Sequence, residues 1–590
     1  MEDRTLSAHG SPVATTAAVG AREPPPPAGA ASGSRGPFFA GLALAGAMAA
    51  VALVAAVQRA WVADDAYITF RHVAQFLAGN GLTYNAGERV EGFTHPLWAL
   101  LLCAAGLIGV PPVPASLVLS LSAATALVAL ALRLDVRGGR PRVSLALALI
   151  AACTGFVDFA TSGLETALAM LLVFLAFRAS PPLSSPWTSG GCLALAYLCH
   201  PDLAVLALGP AVLALLEARL GLRKNMPRLG AFAAAFAVPA LAWHAFRLRY
   251  YGDLLPNTYY AKAGGAYWSQ GFTYVADFGL YAPLTALGLG VVAAAAIRDA
   301  RRGGAPAVRW RRAVGLAAIA AHALAIASFG GDFMGLRLLL PSLAALAALA
   351  GGALPDGVLG SSKRLLLLQG GLAAACVYLV AVAPPPPRER GWIVNERLVY
   401  RGTFDGPLDA FRGEPNHLWW RKGLQLAGVQ DCVGEPPLVV DFPNIGFFGY
   451  AAGTRASVID GVGLVDRYLA RNWAVRAGRN RGRPGHEGKM TLDYALRRGI
   501  HFAPTPYDSY NEVMGTRVGV LLTLDPRIVC TFPGKARRLR ELKSRLSASA
   551  ETWDRRTLQL IERLEERDRV RVEELCTDGP PRANCGVKLR

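Results

Sequence analysis

Charge is scarce in this chain: 17% of its 590 residues are Asp, Glu, Lys or Arg, while 53% are hydrophobic. That balance excludes an ordinary soluble protein. None of the nine cysteines stands in a CxxC pair, so a zinc site is not expected. The chain has no P-loop, no Ser-His-Asp signature and no dinucleotide fingerprint. ATP-driven transport and soluble nucleotide-sugar chemistry both lose weight accordingly. Acidic residues are outnumbered, 42 against 61 Lys and Arg, for a net charge of +19. In so apolar a chain, basic residues collect in cytoplasmic loops beside anionic lipid. With no motif of a nucleic-acid reader, nucleic acid is not expected as a partner.

What the chain has instead is apolar runs of roughly membrane-spanning length. Residues 1–36 are rich in Ala, Gly, Ser and Pro and read as a disordered cytoplasmic tail. Residues 37–60 form an uncleaved first span. Further runs lie at 115–132, 143–157, 164–180, 188–199, 203–220, 229–246, 279–297, 313–329, 338–354 and 365–383. The run 97–110 is short and followed by Pro111, Pro112 and Pro114, so it reads as interfacial or re-entrant. Making it a true span would place Arg133, Arg137, Arg140 and Arg142 outside, against the positive-inside rule. The expectation is about eleven transmembrane helices over 37–384, with the N-terminus in the cytoplasm of a bacterial plasma membrane.

Residues 385–590 have no span and more charge, and read as a periplasmic α/β domain. The segment 438–453 suggests a strand and a Gly-rich turn, and 456–460 a second strand. Spaced leucines over 535–572 suggest one or two amphipathic helices. Cys432, Cys530, Cys576 and Cys585 could form two disulfides in three pairings if this part is exported.

The stretch WVADDAYITFRHVAQFLAGNGLTYNAGERVEGFTHPLW, residues 61–98, opens a first outer loop at 61–114. Asp64 and Asp65 stand together at the membrane edge, where paired carboxylates are costly unless used. One could cap the following helix. One could equally act as general base on a sugar hydroxyl while its neighbour orients it or raises its pKa. The pair permits a divalent ion, Mg or Mn, without requiring one, and no other cofactor is called for. Arg71, Glu91, Thr94 and His95 are candidates for sugar or phosphate contacts in the same loop. Glu165, in DFATSGLET, reads as a helix-start residue or a site residue. His200 and Asp202, in CHPD, read first as a cap. Lys262, with Arg247 and Arg249, could neutralise a phosphate, as could Arg337, with Asp332 beside it. His486 lies in RGRPGHEGK and could touch an acceptor.

The first of these motifs resembles the first periplasmic loop of the GT-C glycosyltransferases, which use polyprenyl-phosphate sugars. Together with DFATSGLE, YWSQGFTY, GGDFMGLRLLLP, VIDGVGLVDRYLA and RPGHEGK, it is similar to the terminal β-(1→2)-arabinofuranosyltransferases of actinobacterial cell-wall synthesis. The resemblance implies a GT-C fold and an inverting transfer from a polyprenyl-phosphate donor, in contact with membrane lipids, to a cell-envelope glycan. It implies that Asp64 is the base, with Asp65 as its neighbour. A GT-C transfer to lipid A, O-antigen or protein stays open, as does a lipid-linked-sugar flippase.

Overall fold

The computed structural model describes residues 36–135, 143–180, 185–220, 222–262, 266–301, 306–354, 362–472, 476–477, 489–503, 508–532, 534–549 and 551–577. The N-terminal tail, Cys585 and His486 lie outside these described residues.

Among the described residues, six helices are long and apolar enough to cross a membrane: Phe39–Gln58, Pro112–Leu134, Pro201–Arg219, Asn225–Tyr250, Val308–Ser328 and Lys363–Val382. A seventh crossing would be the pair Trp268–Tyr281 and Thr285–Arg301, bent by 96°. Pro283 accounts for the bend: it donates no N–H and drives Ala282 out of helical geometry, to φ −132° and ψ 63°.

The other expected spans are helical but shorter. The run 143–157 splits into Leu145–Ala151 and Thr154–Phe159, while Thr166–Ala179 and Pro186–Cys199 have 14 residues each. Leu340–Ala350 has 11, and all of them are buried. A helix that is apolar all round is sheathed either by lipid or by other helices, and sequence alone does not separate the two. Pro96–Leu107, at 12 residues, is also too short to span, as its run predicts.

Beyond the last long helix, Val439–Asp441 and Ser457–Ile459 pair in parallel, Val439 opposite Ser457. Phe502–Ala503 joins in parallel and Val520–Leu521 antiparallel, so the sheet is mixed and four-stranded. The Gly-rich turn after the first strand carries a short helix, Phe447–Ala451. The amphipathic helices are Lys535–Ser547 and Thr552–Asp568, which bury Leu539, Leu542 and Leu546 against Leu560, Ile561 and Leu564. Cys530 and Cys576 form a disulfide, and Cys432 is disulfide-bonded too.

Two large hydrophobic cores result among the described residues. One fills the helical bundle; the other lies around the sheet and takes in Ile68 and Tyr84 from the first loop. That loop is therefore wedged between bundle and sheet, which is what positions the site.

Candidate functional site

The helix Asp64–Leu77 is the floor of the site. Ala63, in extended conformation, precedes it and contributes no side-chain cap. The capping role open to the two aspartates is not the one found: the Asp64 carboxylate instead accepts from the Phe447 N–H, at 2.7 Å. Gly446 makes this approach feasible, since a Cβ there would stand 1.9 Å from the Asp64 carbonyl oxygen. Asp64 is 4% exposed, and burial pushes its carboxyl up to about 7.

Asp65 is under the influence of other charges instead. It is half-buried, and burial raises its pKa, with Lys262 and Arg337 opposing the rise and Asp332 and Glu165 adding to it. One carboxylate is thus tied to backbone, while its neighbour faces two cations and two acids. Arg337 is paired with Asp332 at 2.7 Å. It follows Leu336, whose positive φ of 50° is strained for a branched side chain. Lys262 ends the short helix Asn257–Lys262 and is exposed.

The loop DFATSGLET sits under the aspartate pair. The Trp61 indole donates to the Asp158 carbonyl at 2.7 Å, and the Ala63 N–H to the Ser162 carbonyl at 2.9 Å. Glu165 precedes the Thr166–Ala179 helix without capping it and lies 3.2 Å from His95 Nδ1. The other nitrogen of His95 is 2.7 Å from the Thr69 hydroxyl. Burial lowers the pKa of His95, with Glu165 opposing. Thr94 is half-buried beside it.

Two expected substrate contacts are occupied by structural work. The guanidinium of Arg71 is 1% exposed and donates to the carbonyls of Tyr84 at 2.9 Å, Gly453 and Ala456 at 2.6 Å each, and Gly449. With its donors spent on backbone, it staples the first loop to the sheet region rather than meeting a substrate. Glu91 is 2% exposed and takes Arg247 in a two-pronged pair at 2.5 and 3.2 Å, which consumes both partners.

Other residues join the site without a clear signal in the sequence. Glu396 is buried, burial pushes its pKa up, and Asp64 and Asp65 add to the shift. It arrives because the Gly335 N–H donates to the Val394 carbonyl at 2.9 Å, docking the segment after the last span against the Asp332–Arg337 loop. His200 pairs with Asp202, whose second oxygen is 2.8 Å from His322 Nε2; His322 Nδ1 is 2.8 Å from the Ser342 hydroxyl. The CHPD cluster is therefore more than a cap. Its partner His322 lies inside a long apolar helix, 120 residues on, where spacing gives no hint of it.

Among the described residues, no group of three or more His, Cys, Asp or Glu is arranged to hold a metal ion. A divalent ion on Asp64 and Asp65 thus finds no third ligand, and Asp64 already accepts a backbone N–H.

No family profile matches the chain. The terminal β-(1→2)-arabinofuranosyltransferase of Mycobacterium tuberculosis is 29% identical over 529 residues, covering 75% of this chain and 83% of that protein. The protein of the same name from Corynebacterium glutamicum is 32% identical over 373 residues, which span 54% of this chain and 52% of that one. The chain is a relative of the terminal arabinofuranosyltransferases. It is a glycosyltransferase and a multi-pass membrane protein. The crystal structure of ArnT from Cupriavidus metallidurans bound to undecaprenyl phosphate aligns at a TM-score of 0.43 and 14% identity, over 72% of this chain and 86% of that one. A similarity of that size carries no weight for this chain.

Proposed function

We propose that this glycosyltransferase moves a sugar from a polyprenyl-phosphate donor to a cell-envelope glycan, with inversion, on the periplasmic side of the membrane. The names of its relatives make arabinofuranose the first sugar to test. The observation that carries the reading is the half-buried Asp65 facing Arg337 and Lys262. An acceptor hydroxyl attacks the anomeric carbon and its proton passes to Asp65. The bond from that carbon to the phosphate oxygen breaks, and its electron pair leaves with the phosphate, which gains one negative charge. Arg337 and Lys262 meet that charge where it develops. No nucleotide is needed, because the lipid phosphate is already an activated leaving group. The Cys530–Cys576 disulfide suits an exported C-terminal part. In this reading the short buried helices complete about eleven crossings, and residues 385–590 form the periplasmic domain.

Asp64 is the alternative base. A carboxyl near 7 is well matched to proton transfer at neutral pH, but its burial and its bond to Phe447 hold it away from an acceptor. The deciding experiment is transfer of labelled sugar from a panel of polyprenyl-phosphate donors, with wild type, Asp65→Asn and Asp64→Asn in parallel. Collapse in Asp65→Asn alone supports the reading. Collapse in Asp64→Asn alone reassigns the base. Undiminished transfer by both removes the pair from the chemistry. A second reading, flipping of a lipid-linked sugar, draws on the pair between Asp202, at the start of one long helix, and His322, within another. It predicts transbilayer movement of the lipid by purified protein in vesicles.

A further inference from the structure

Away from the aspartate pair, a groove of about 640 Å³ opens between the first loop, the end of the Leu222–Tyr250 helix, and Asp466, Arg467, Tyr468, Tyr494 and Arg498. Its walls alternate rings and charge. Tyr468 lies parallel to Tyr494, centroids 5.2 Å apart and planes within 6°. Tyr468 is 47% exposed, so one face of this stack is open. Across the groove the Arg89 guanidinium covers the Tyr250 ring at 4.9 Å.

The carboxylates here already have partners. Asp466 accepts from the Tyr494 hydroxyl at 2.8 Å and lies 3.4 Å from Arg498, which also pairs with Glu88. Arg467 pairs with Asp253 at 3.0 Å. Arg89 and Arg249 are exposed, and among the described residues their guanidinium groups enter no ion pair or hydrogen bond. The hydroxyls of Tyr250 and Tyr468 are likewise unengaged among the described residues. The groove therefore offers flat apolar faces, free donors and fixed carboxylates side by side.

That mixture discriminates between occupants. A sugar ring has an apolar face for stacking and hydroxyls that both donate and accept. An anionic lipid headgroup would engage the arginines but leave the open Tyr468 face and its stack unused. The groove also lies on the path of the first loop. His95, which pairs with Glu165 in the reaction centre, is five positions on from Val90, on its wall. An extended chain of that length spans at most roughly 18 Å, a reach of a few sugar units.

We propose that this groove is a distal subsite for the acceptor glycan, holding sugar units beyond the one that reacts, with Tyr468 as the stacking platform. The proposal rests on the glycosyltransferase reading above. It explains how a membrane enzyme would select a polymer over a free sugar: the polymer fills both places at once.

The test uses the full chain in detergent, with a linear arabinofuranose disaccharide and a longer oligosaccharide of the same series as acceptors. Wild type should show a higher kcat/KM for the longer one. Tyr468→Ala should lower the long-to-short ratio by about tenfold, and Tyr468→Phe, which keeps the ring, should restore it. An unchanged ratio in Tyr468→Ala overturns the proposal. So does an unchanged ratio with a raised KM for the lipid donor, which would make the groove a headgroup site. If wild type transfers to neither acceptor, the arabinosyl reading fails, and isothermal titration with the long oligosaccharide decides the groove separately. Binding lost in Tyr468→Ala sustains it, and absence of binding overturns it.

Discussion

The start and the middle of one 14-residue helix treat charge in opposite ways. Two turns in, Arg71 is buried and every direction of its guanidinium meets a backbone carbonyl or Asn85. In the first turn, Asp65 is half-buried among Arg337, Lys262, Asp332 and Glu165 on other elements. Both residues look alike in the sequence: charged, adjacent to apolar runs, in one motif. The difference is what the protein has already supplied to each. A buried charge with its hydrogen-bonding capacity spent on backbone is structural, because removing it orphans several groups at once. A charge held among other charges, with no backbone partner, keeps capacity for a ligand. Asp64 lies between these cases, tied once to Phe447 yet raised to about 7.

The comparison is broken most sharply at Asp65. Asp65→Asn is expected to cut transfer by about 10³-fold, in the range for loss of a general base, with thermal stability within a degree or two of wild type. Large unfolding in this variant would make Asp65 another Arg71. Next comes Asp64, where the effect belongs to stability and depends on pH. Its folded pKa is raised, so the folded state prefers the protonated form. The associated stability is present below the unfolded value of 3.8 and is lost as pH rises through about 7. Asp64→Asn keeps an acceptor for Phe447 and removes the buried charge. Its melting temperature should match wild type near pH 4 and exceed it by pH 8, by the equivalent of at most about 4 kcal/mol. A stabilisation that shrinks toward alkaline pH would contradict the assignment.

The smallest expected effect is at Arg71. Arg71→Met fills similar volume but leaves the carbonyls of Tyr84, Gly449, Gly453 and Ala456 without donors. Each unsatisfied buried group costs about 1–3 kcal/mol, tempered by water entry, so a net loss of about 3 kcal/mol is expected in denaturant unfolding. The folded fraction should retain its donor KM. A donor KM raised tenfold with unchanged stability would return Arg71 to the substrate site.

Much of the fold was legible because it is written in local periodicity. The first helix of the loop, the long apolar helices, the strands near 439 and 457 and the amphipathic pair after 535 all carry patterns within their own residues. The fate of the shorter apolar runs was not legible. Leu145–Ala151 and Leu340–Ala350 are as apolar as the long helices, and only the tertiary structure shows that every side chain in them is covered. Glu91 could not be sorted from a sugar contact until Arg247, 156 residues away, was seen to occupy it. Glu396 sits in an unremarkable segment and reaches the site through a backbone contact made by Gly335.

The sequence by itself determined that this is a membrane protein with a carboxylate pair at the head of its first loop, and it carried the likeness to arabinofuranosyltransferases. Hydropathy and motif are properties of consecutive residues, so they survive without a structure. Which carboxylate faces the cations, which arginine is spent on carbonyls, and that His200, Asp202 and His322 form one chain were decided only by the tertiary structure. Those facts depend on groups tens to hundreds of residues apart, and on whether burial leaves a polar group satisfied or in need of a ligand.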